Sequence, residues 1–328
     1  MTLRVQYGAK PAGRGAISAQ TPGGSGEWKD LLFIDSTEDC DADWLVIYDD
    51  PSPKLRTRVP VERRILFVGE PPAVKEYYPH FVNQFGVVVS PQEHKGFKGI
   101  WLQKHGALVW FFGQTFDQLC SANFDNKQCD LSAVISAARK YPVHRQRYEF
   151  MLKVKDVLGD RLHWYGRGIQ DIELTSEAFI PSRYCIAMEN NFVEHFWTEK
   201  LSEVYLAQSF PFYSGGPNLR RYFNEKAFEY IDIDDPVGSA KKIEQAMDNN
   251  LYEERLPFIK EARQKVLFEY NIFNEAWKII SKLDRRESAV PRLSKPKAVK
   301  RRKDGIRSWM LEFPRRVQRH YERVEHRY

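Results

Sequence analysis

A chain of 328 residues with 42% hydrophobic and 14% aromatic side chains is long enough to bury two cores, so two domains are expected. Its four cysteines (Cys40, Cys120, Cys129, Cys185) are scattered without a C-x-x-C pair, which excludes a disulfide framework and a structural zinc motif. The net charge of +6 is uneven: residues 285–328 hold fifteen Lys/Arg against five Asp/Glu, leaving −4 for the rest, so the body is not a nucleic-acid-binding surface by composition. No apolar stretch approaches the ~20 residues that span a bilayer, and Met1 to Gly24 has no apolar core of a secretory signal. A reducing, cytoplasmic setting is therefore expected.

Residues 1–28, polar and Gly-rich, read as a flexible arm. Residues 29–130 read as a first α/β domain. Asp43 to Asp50 is a buried strand ending in acids, Arg64 to Val68 a second strand closed by Gly69-Glu70-Pro71-Pro72, and Phe85 to Val89 a third, with a short helix at Lys75 to Phe81 between them. Gln118 to Asp130 is polar and reads as loop. Residues 131–284 read as a second α/β domain. His144 to Leu158 has helical periodicity at Tyr148, Met151, Leu152, Val154 and Val157. Leu162 to Gly168 is a strand ending in a Gly-rich turn, Ser182 to Met188 the next strand, Ser209 to Tyr213 another, and Phe228 to Ile233 a last strand before an amphipathic Val237 to Met247. This βαβα order predicts parallel, doubly wound sheets.

Residues 285–328 form a basic tail. A Pro- and Lys/Arg-rich linker precedes apolar residues at helical spacing (Ile306, Trp309, Met310, Phe313, then Val317, Tyr321, Val324), with Pro314 between the two runs. Three readings stay open: a helix docked on the body, a helix lying on an anionic membrane surface, and a nucleic-acid tail.

The stretch Met188 to Leu201 carries the chemistry. A buried strand stops at Glu189, Asn190 and Asn191. An aromatic loop follows, and Thr198 stands as a helix N-cap with Glu199 and Lys200 in the first turn. Free N–H groups at a helix start favour phosphate, and an adjacent lysine adds a full charge, so a phosphorylated ligand is predicted here.

Ala187-Met188-Glu189-Asn190, Trp197-Thr198-Glu199-Lys200-Leu201 and Phe210-Pro211-Phe212-Tyr213, with His144-Arg145-Gln146-Arg147 and Tyr165-Gly166-Arg167-Gly168 upstream, resemble the α-1,3/4-fucosyltransferase family, glycosyltransferase family 10. The Gly69-Glu70-Pro71-Pro72 turn resembles its bacterial branch. The resemblance implies a GT-B fold, two Rossmann-like domains facing a cleft, here with the basic C-terminal helical tail added. It also implies inverting transfer of fucose from GDP-fucose to a glycan hydroxyl, an alternative being another nucleotide sugar or an inactive glycan-binding homologue.

Carried over residue by residue, Glu70 matches the general base, Arg145 the diphosphate-binding arginine, and Glu199 and Lys200 the donor pair. Asn190 lies in the donor pocket, and Glu189 either orients the loop or binds ribose. Arg147 is a second arginine of the same helix. Arg167 borders the donor site, and Tyr213 lines the cleft or merely packs. Phe196 stands where many members have Tyr, so it lacks a hydroxyl for the donor. Trp101, Trp110, Phe111 and Phe112 are acceptor-stacking or core residues. No D-x-D motif is convincing, Asp232 and Asp234 reading as structural or nucleotide-edge acids. With Arg and Lys to offset the diphosphate, no metal or other cofactor is expected. The expected partners are GDP-fucose, a glycan acceptor and, through residues 285–328, an anionic membrane surface, with the protein peripheral at the inner face of a bacterial membrane; no nucleic acid is expected.

Overall fold

The computed structural model describes residues 2–9, 16–71, 74–106, 109–284 and 295–301. The first unit supplies β1 (Leu3–Tyr7), β2 (Glu27–Trp28), β3 (Leu31–Asp35), β4 (Trp44–Tyr48), β5 (Arg56–Thr57), β6 (Arg64–Phe67), β7 (Val87–Ser90) and β8 (Ile100–Gln103), with helices α1 (Pro79–Val82) and α2 (Phe116–Ser121). The second supplies β9 (Cys129–Val134), α3 (Pro142–Leu158), β10 (Leu162–Tyr165), α4 (Ser176–Phe179), β11 (Ser182–Met188), α5 (Glu199–Leu206), β12 (Phe210–Ser214), β13 (Glu229–Tyr230), α6 (Pro236–Asp248) and α7 (Leu251–Phe268). Helix α8 (Ile272–Asp284) and β14 (Lys297–Ala298) complete the described chain.

The apolar runs occupy the centres of the sheets. Leu45, Val46 and Ile47 of β4, and Ile65, Leu66 and Phe67 of β6, are wholly buried, as strands covered on both faces must be. The first sheet runs β2-β3-β1-β4-β6-β7-β8 and the second β10-β9-β11-β12-β13. Every pairing is parallel except that of the edge strand β2. With β2 and the outer strand β8 set aside, the two orders coincide: the second strand of each sheet lies outside the first, and the third, fourth and fifth continue on the other side. The order reverses between β1 and β4 in one sheet and between β9 and β11 in the other. Parallel sheets open their ligand crevices at such reversals, beyond the carboxyl ends of the strands.

Five sequence expectations change. Residues 1–28 are not a free arm, because Leu3–Tyr7 is an interior strand with Val5, Gln6 and Tyr7 buried. The Gln6 side-chain nitrogen, fully enclosed, donates to the carbonyls of Ser36, Glu38 and Arg56, which offsets part of the cost of burying it. The short helix expected over Lys75 to Phe81 is confined to Pro79–Val82, where proline occupies the first helical position. Part of the supposed loop at 118–130 is α2, set by a capping box in which Thr115 accepts from the Gln118 N–H (3.3 Å) and Gln118 accepts from the Thr115 N–H (2.9 Å). The strand expected over Phe228 to Ile233 reduces to Glu229–Tyr230. Finally, α8 leaves the second unit and packs on the first. Phe273 lies between Trp28 and Phe33 (5.9 and 4.9 Å between ring centres), and Trp277 donates to Asp30 at 2.6 Å. The chain then returns across the first unit, where β14 pairs with β5. The amphipathic helix expected beyond Arg301 lies outside the described residues.

Candidate active site

The carboxyl ends of β4, β6 and β11 and the start of α5 enclose a cavity of about 350 Å³. Its walls are Tyr48, Asp49, Asp50, Gly69, Glu70 and Phe111 on one side and Asn190, Thr198, Glu199 and Lys200 on the other. Glu70 of the first unit thus shares one space with Glu199 and Lys200 of the second, although 129 residues separate Glu70 from Glu199 in the chain.

On the second unit the helix start is built from Glu189. Its carboxylate is fully buried and accepts the Thr198 N–H and the Thr198 hydroxyl, both at 2.8 Å. Thr198 is extended and caps α5. Lys200 then reaches Glu199 at 2.7 Å and the Thr198 hydroxyl oxygen at 3.2 Å. Burial opposes charge on both residues of this pair. Even so, Lys200 holds the Glu199 carboxyl below the ordinary carboxylate range, and Glu199 with Glu189 holds the Lys200 ammonium above its ordinary value. Both remain charged, and an incoming anion finds a fixed cation at a helix N-terminus.

The loop ahead of the helix is pinned from below. The Tyr213 hydroxyl donates to the Phe196 carbonyl (3.1 Å) and accepts the Gly216 N–H (3.0 Å). A side chain at Gly216 would strike the Phe196 and Val193 carbonyls at 2.7 and 2.8 Å, so the close approach requires glycine. His195 Nδ1 meets the Tyr222 hydroxyl at 2.6 Å.

On the first unit, Asp49 has a left-handed backbone (φ 66°) and bonds Lys75 and the Tyr77 hydroxyl, while Asp50 reaches Lys75 at 2.8 Å. Gly69 admits the Tyr48 ring, whose hydroxyl would lie 2.5 Å from any Cβ there. The turn therefore closes tightly on β4 and directs Glu70 into the cavity. Burial raises the Glu70 carboxyl above its ordinary value; Asp49 and Glu199 push it further, and Lys200 and Lys75 pull it back. A carboxyl whose proton affinity is raised in this way is a stronger general base than an ordinary glutamate.

The predicted site residues divide. Glu70, Asn190, Glu199 and Lys200 come together. Arg145, the predicted phosphate ligand, is exposed on α3 and lines neither this cavity nor the larger one described below. Arg147 takes the inward place. Its guanidinium is drawn down by burial and countered by Glu189 and Glu199, and its charge in turn acts on Lys200. The buried stripe of α3 is Phe150, Met151, Val154 and Leu158, with Leu152 and Val157 exposed. Carried back one turn, that stripe falls on Arg147 and passes opposite Arg145.

Glu189 and Tyr213 line neither this cavity nor the larger one and instead hold the loop, which favours the loop-orienting and packing alternatives of the sequence reading. Arg167 is exposed in the turn after β10 and does not reach the site. Phe196 is buried and, with Asn191 of its own loop, lines a small cavity shared with Glu70 and Pro71 of the first unit. Trp110 and Phe112 are core, Trp101 donates to the Ser90 carbonyl at 3.2 Å, and Phe111 alone of the four aromatics lines the cavity. Sequence reasoning missed Asp49, Asp50 and Lys75 as site residues, and named Phe111 only as one of four acceptor-stacking or core aromatics. The acids ending β4 were the visible signal.

Beside this cavity, on the far side of loop 190–198, a cleft of about 660 Å³ opens at the ends of β12 and β13. Its lining includes Gln146, Phe192, Gly215, Tyr230, Asp234 and Lys242. Asp232 accepts the Asp234 N–H at 2.9 Å, and Asp235 caps α6 through the Gly238 N–H. Among the described residues, no three His, Cys, Asp or Glu side chains stand where they could hold a metal ion.

Two parallel α/β units, joined at their strand ends around one cavity, define a protein of the GT-B type. No known protein family and no curated protein matches the chain. Among solved structures, an α1,3-fucosyltransferase with GDP-fucose is 13% identical, over 90% of this chain and 93% of its own, at a TM-score of 0.49. An α-glucosyltransferase in complex with UDP-glucose and DNA containing an abasic site is 10% identical, over 86% and 100%, at 0.48. A glycosyltransferase from Rickettsia africae ESF-5 is 9% identical, over 87% and 99%, at 0.47. Likeness at this level carries nothing about substrate.

Proposed function

We propose that the chain is an inverting glycosyltransferase that moves L-fucose from GDP-fucose to a hydroxyl of a glycan acceptor. The observation that carries this reading is the shared cavity: a half-buried acid, Glu70, facing the capped helix start with Lys200 and Glu199. In the proposed reaction the acceptor hydroxyl gives its proton to Glu70 while its oxygen forms a bond to the sugar C1. The bond from C1 to the diphosphate breaks on the opposite face, and the electron pair leaves with GDP. Lys200, Arg147 and the N–H groups of α5 stabilise the departing charge, and Glu199 and Asn190 orient the sugar ring. The 660 Å³ cleft beside α6 is of a size for the nucleoside. These cations make a metal dispensable in this scheme.

The test is direct. Purified protein is incubated with GDP-fucose and a panel of β-linked disaccharides, and a gain of one deoxyhexose is sought by mass spectrometry. Transfer from GDP-mannose or a UDP-sugar in preference to GDP-fucose would replace the donor. Phe196, which offers no hydroxyl, is the feature favouring that second reading. No helix among the described residues is long and apolar enough to cross a membrane. Surface attachment through residues 285–328, at the inner face of a bacterial membrane, belongs to the proposal. Flotation with anionic liposomes checks it, and equal binding by a chain ending at Leu283 would remove the tail from that role.

A further inference from the structure

Helix α5 carries a buried carboxyl that the reaction above does not use. Glu203 lies one turn past Glu199 and Lys200 and is 1% exposed. One carboxyl oxygen accepts the Phe111 N–H at 2.6 Å, and the other accepts the Thr175 hydroxyl at 2.6 Å. Phe111 belongs to the crossover between β8 and β9, and it also lines the cavity opposite Lys200. Its neighbours Trp110 and Phe112 are locked in the core. Thr175 precedes α4, which packs under β9 and β11. A carboxyl enclosed this way is costly, and an apolar side chain would extend the buried surface already made by Leu201, Val204 and Tyr205. What the carboxyl adds is a fixed bond between the helix and the opposite wall.

We propose that Glu203 is a positioning residue, tying the helix that bears Glu199 and Lys200 to the crossover wall at Phe111 and so setting where those charges stand in the cavity. The inference rests on the transferase reading for its catalytic consequence. Its mechanical content stands apart from that reading: the bond between Glu203 and Phe111 holds the first turn of α5. Glutamine preserves this link, because its carbonyl can accept the Phe111 N–H while its amide donates to Thr175. Burial raises the Glu203 carboxyl to about 7, so a neutral isostere resembles a form already accessible near neutrality. Alanine removes the link.

The experiment compares full-length Glu203→Ala, Glu203→Gln, Thr175→Val and a reference, Ser209→Ala, which loses a buried hydroxyl bonded to the Phe179 and Ser182 carbonyls away from the cavity. Two readouts are taken: transfer kinetics with GDP-fucose, and amide hydrogen exchange in segments 109–113 and 198–206. Glu203→Ala should speed exchange in both segments and lower kcat/KM at least tenfold. Glu203→Gln should stay within threefold of the parent in both readouts, and Thr175→Val should fall between. Ser209→Ala should lose thermal stability without either change. Unaltered exchange in Glu203→Ala overturns the proposal, as does faster exchange with unaltered kcat/KM. If the parent chain transfers no sugar at all, the transferase reading fails, and the exchange data alone decide whether Glu203 holds the helix.

Discussion

The two units repeat one strand order yet furnish their strand ends in opposite ways. The first presents acids: Asp49 and Asp50 after β4, and Glu70 after β6, with Lys75 holding the aspartates. The second presents a capped helix start, Lys200, and Arg147 from the neighbouring helix. The same topology thus gives a proton-accepting wall and an anion-accepting wall, and the cavity exists only where they meet. Fold alone predicts the crevice; the residues at the strand ends decide what each half can do.

The contrast can be broken most severely from the acidic side. Glu70→Gln should lower transfer by about 10³-fold while GDP still binds in calorimetry, since only the proton acceptor is lost. Loss of GDP binding in that variant would deny the division of labour between the walls. From the cationic side, Lys200→Ala and Arg147→Ala should each lower kcat/KM by about 10²-fold, whereas Arg145→Ala should remain within about threefold. Equal losses at Arg145 and Arg147 would reverse the assignment made on α3.

Smaller effects sharpen the picture. Glu70 must be ionised to accept a proton, and its carboxyl is held high by burial, Asp49 and Glu199. The acid limb of kcat/KM should therefore lie above the range of an ordinary glutamate. Asp49→Asn removes an upward push and should move that limb to lower pH; Lys200→Met should move it to higher pH. A limb that stays fixed in both would show that Glu70 does not govern the profile. Glu203 has a folded-state value above its unfolded one, about 7 against 4.5. Its contribution to stability is fully present below 4.5 and is lost as pH rises through 7. Chemical denaturation across that window should give a shallower slope for Glu203→Gln than for the parent.

Much of the candidate site was legible because its signals are local. Thr198, Glu199 and Lys200 follow a buried strand, and a cap with a charged first turn needs no distant information. Glu70 was visible for the same reason, as an acid in a Gly-Pro turn after an apolar strand. What stayed hidden depends on which face of an element meets its neighbour. Arg145 and Arg147 are two residues apart on one helix, and only the packing of α3 against α6 separates them. Arg145 was chosen on the family resemblance, which carries no helix phase; Leu152 and Val157 look like core residues in the sequence but are exposed, so the periodicity did not mark the buried face either. Leu3–Tyr7 was lost because Arg4 and Gln6 give it a polar look. Gln6 is nonetheless buried, on carbonyl partners supplied by residues 36, 38 and 56. Glu189 and Tyr213 each stayed open in the sequence between a ligand contact and a brace, and the hydrogen bonds that make them braces join residues distant in the chain.

The return of α8 to the first unit bears on how the molecule is made. Trp28, Phe33 and Trp44 lie near the amino terminus, yet their partners Phe273, Asn274 and Asp284 follow roughly 240 residues later in the chain. During translation the leading half must wait, with aromatic surface uncovered, until roughly 240 further residues have emerged. A nascent chain stalled before residue 272 should bind holding chaperones and resist compaction, and release of α8 should complete both halves together.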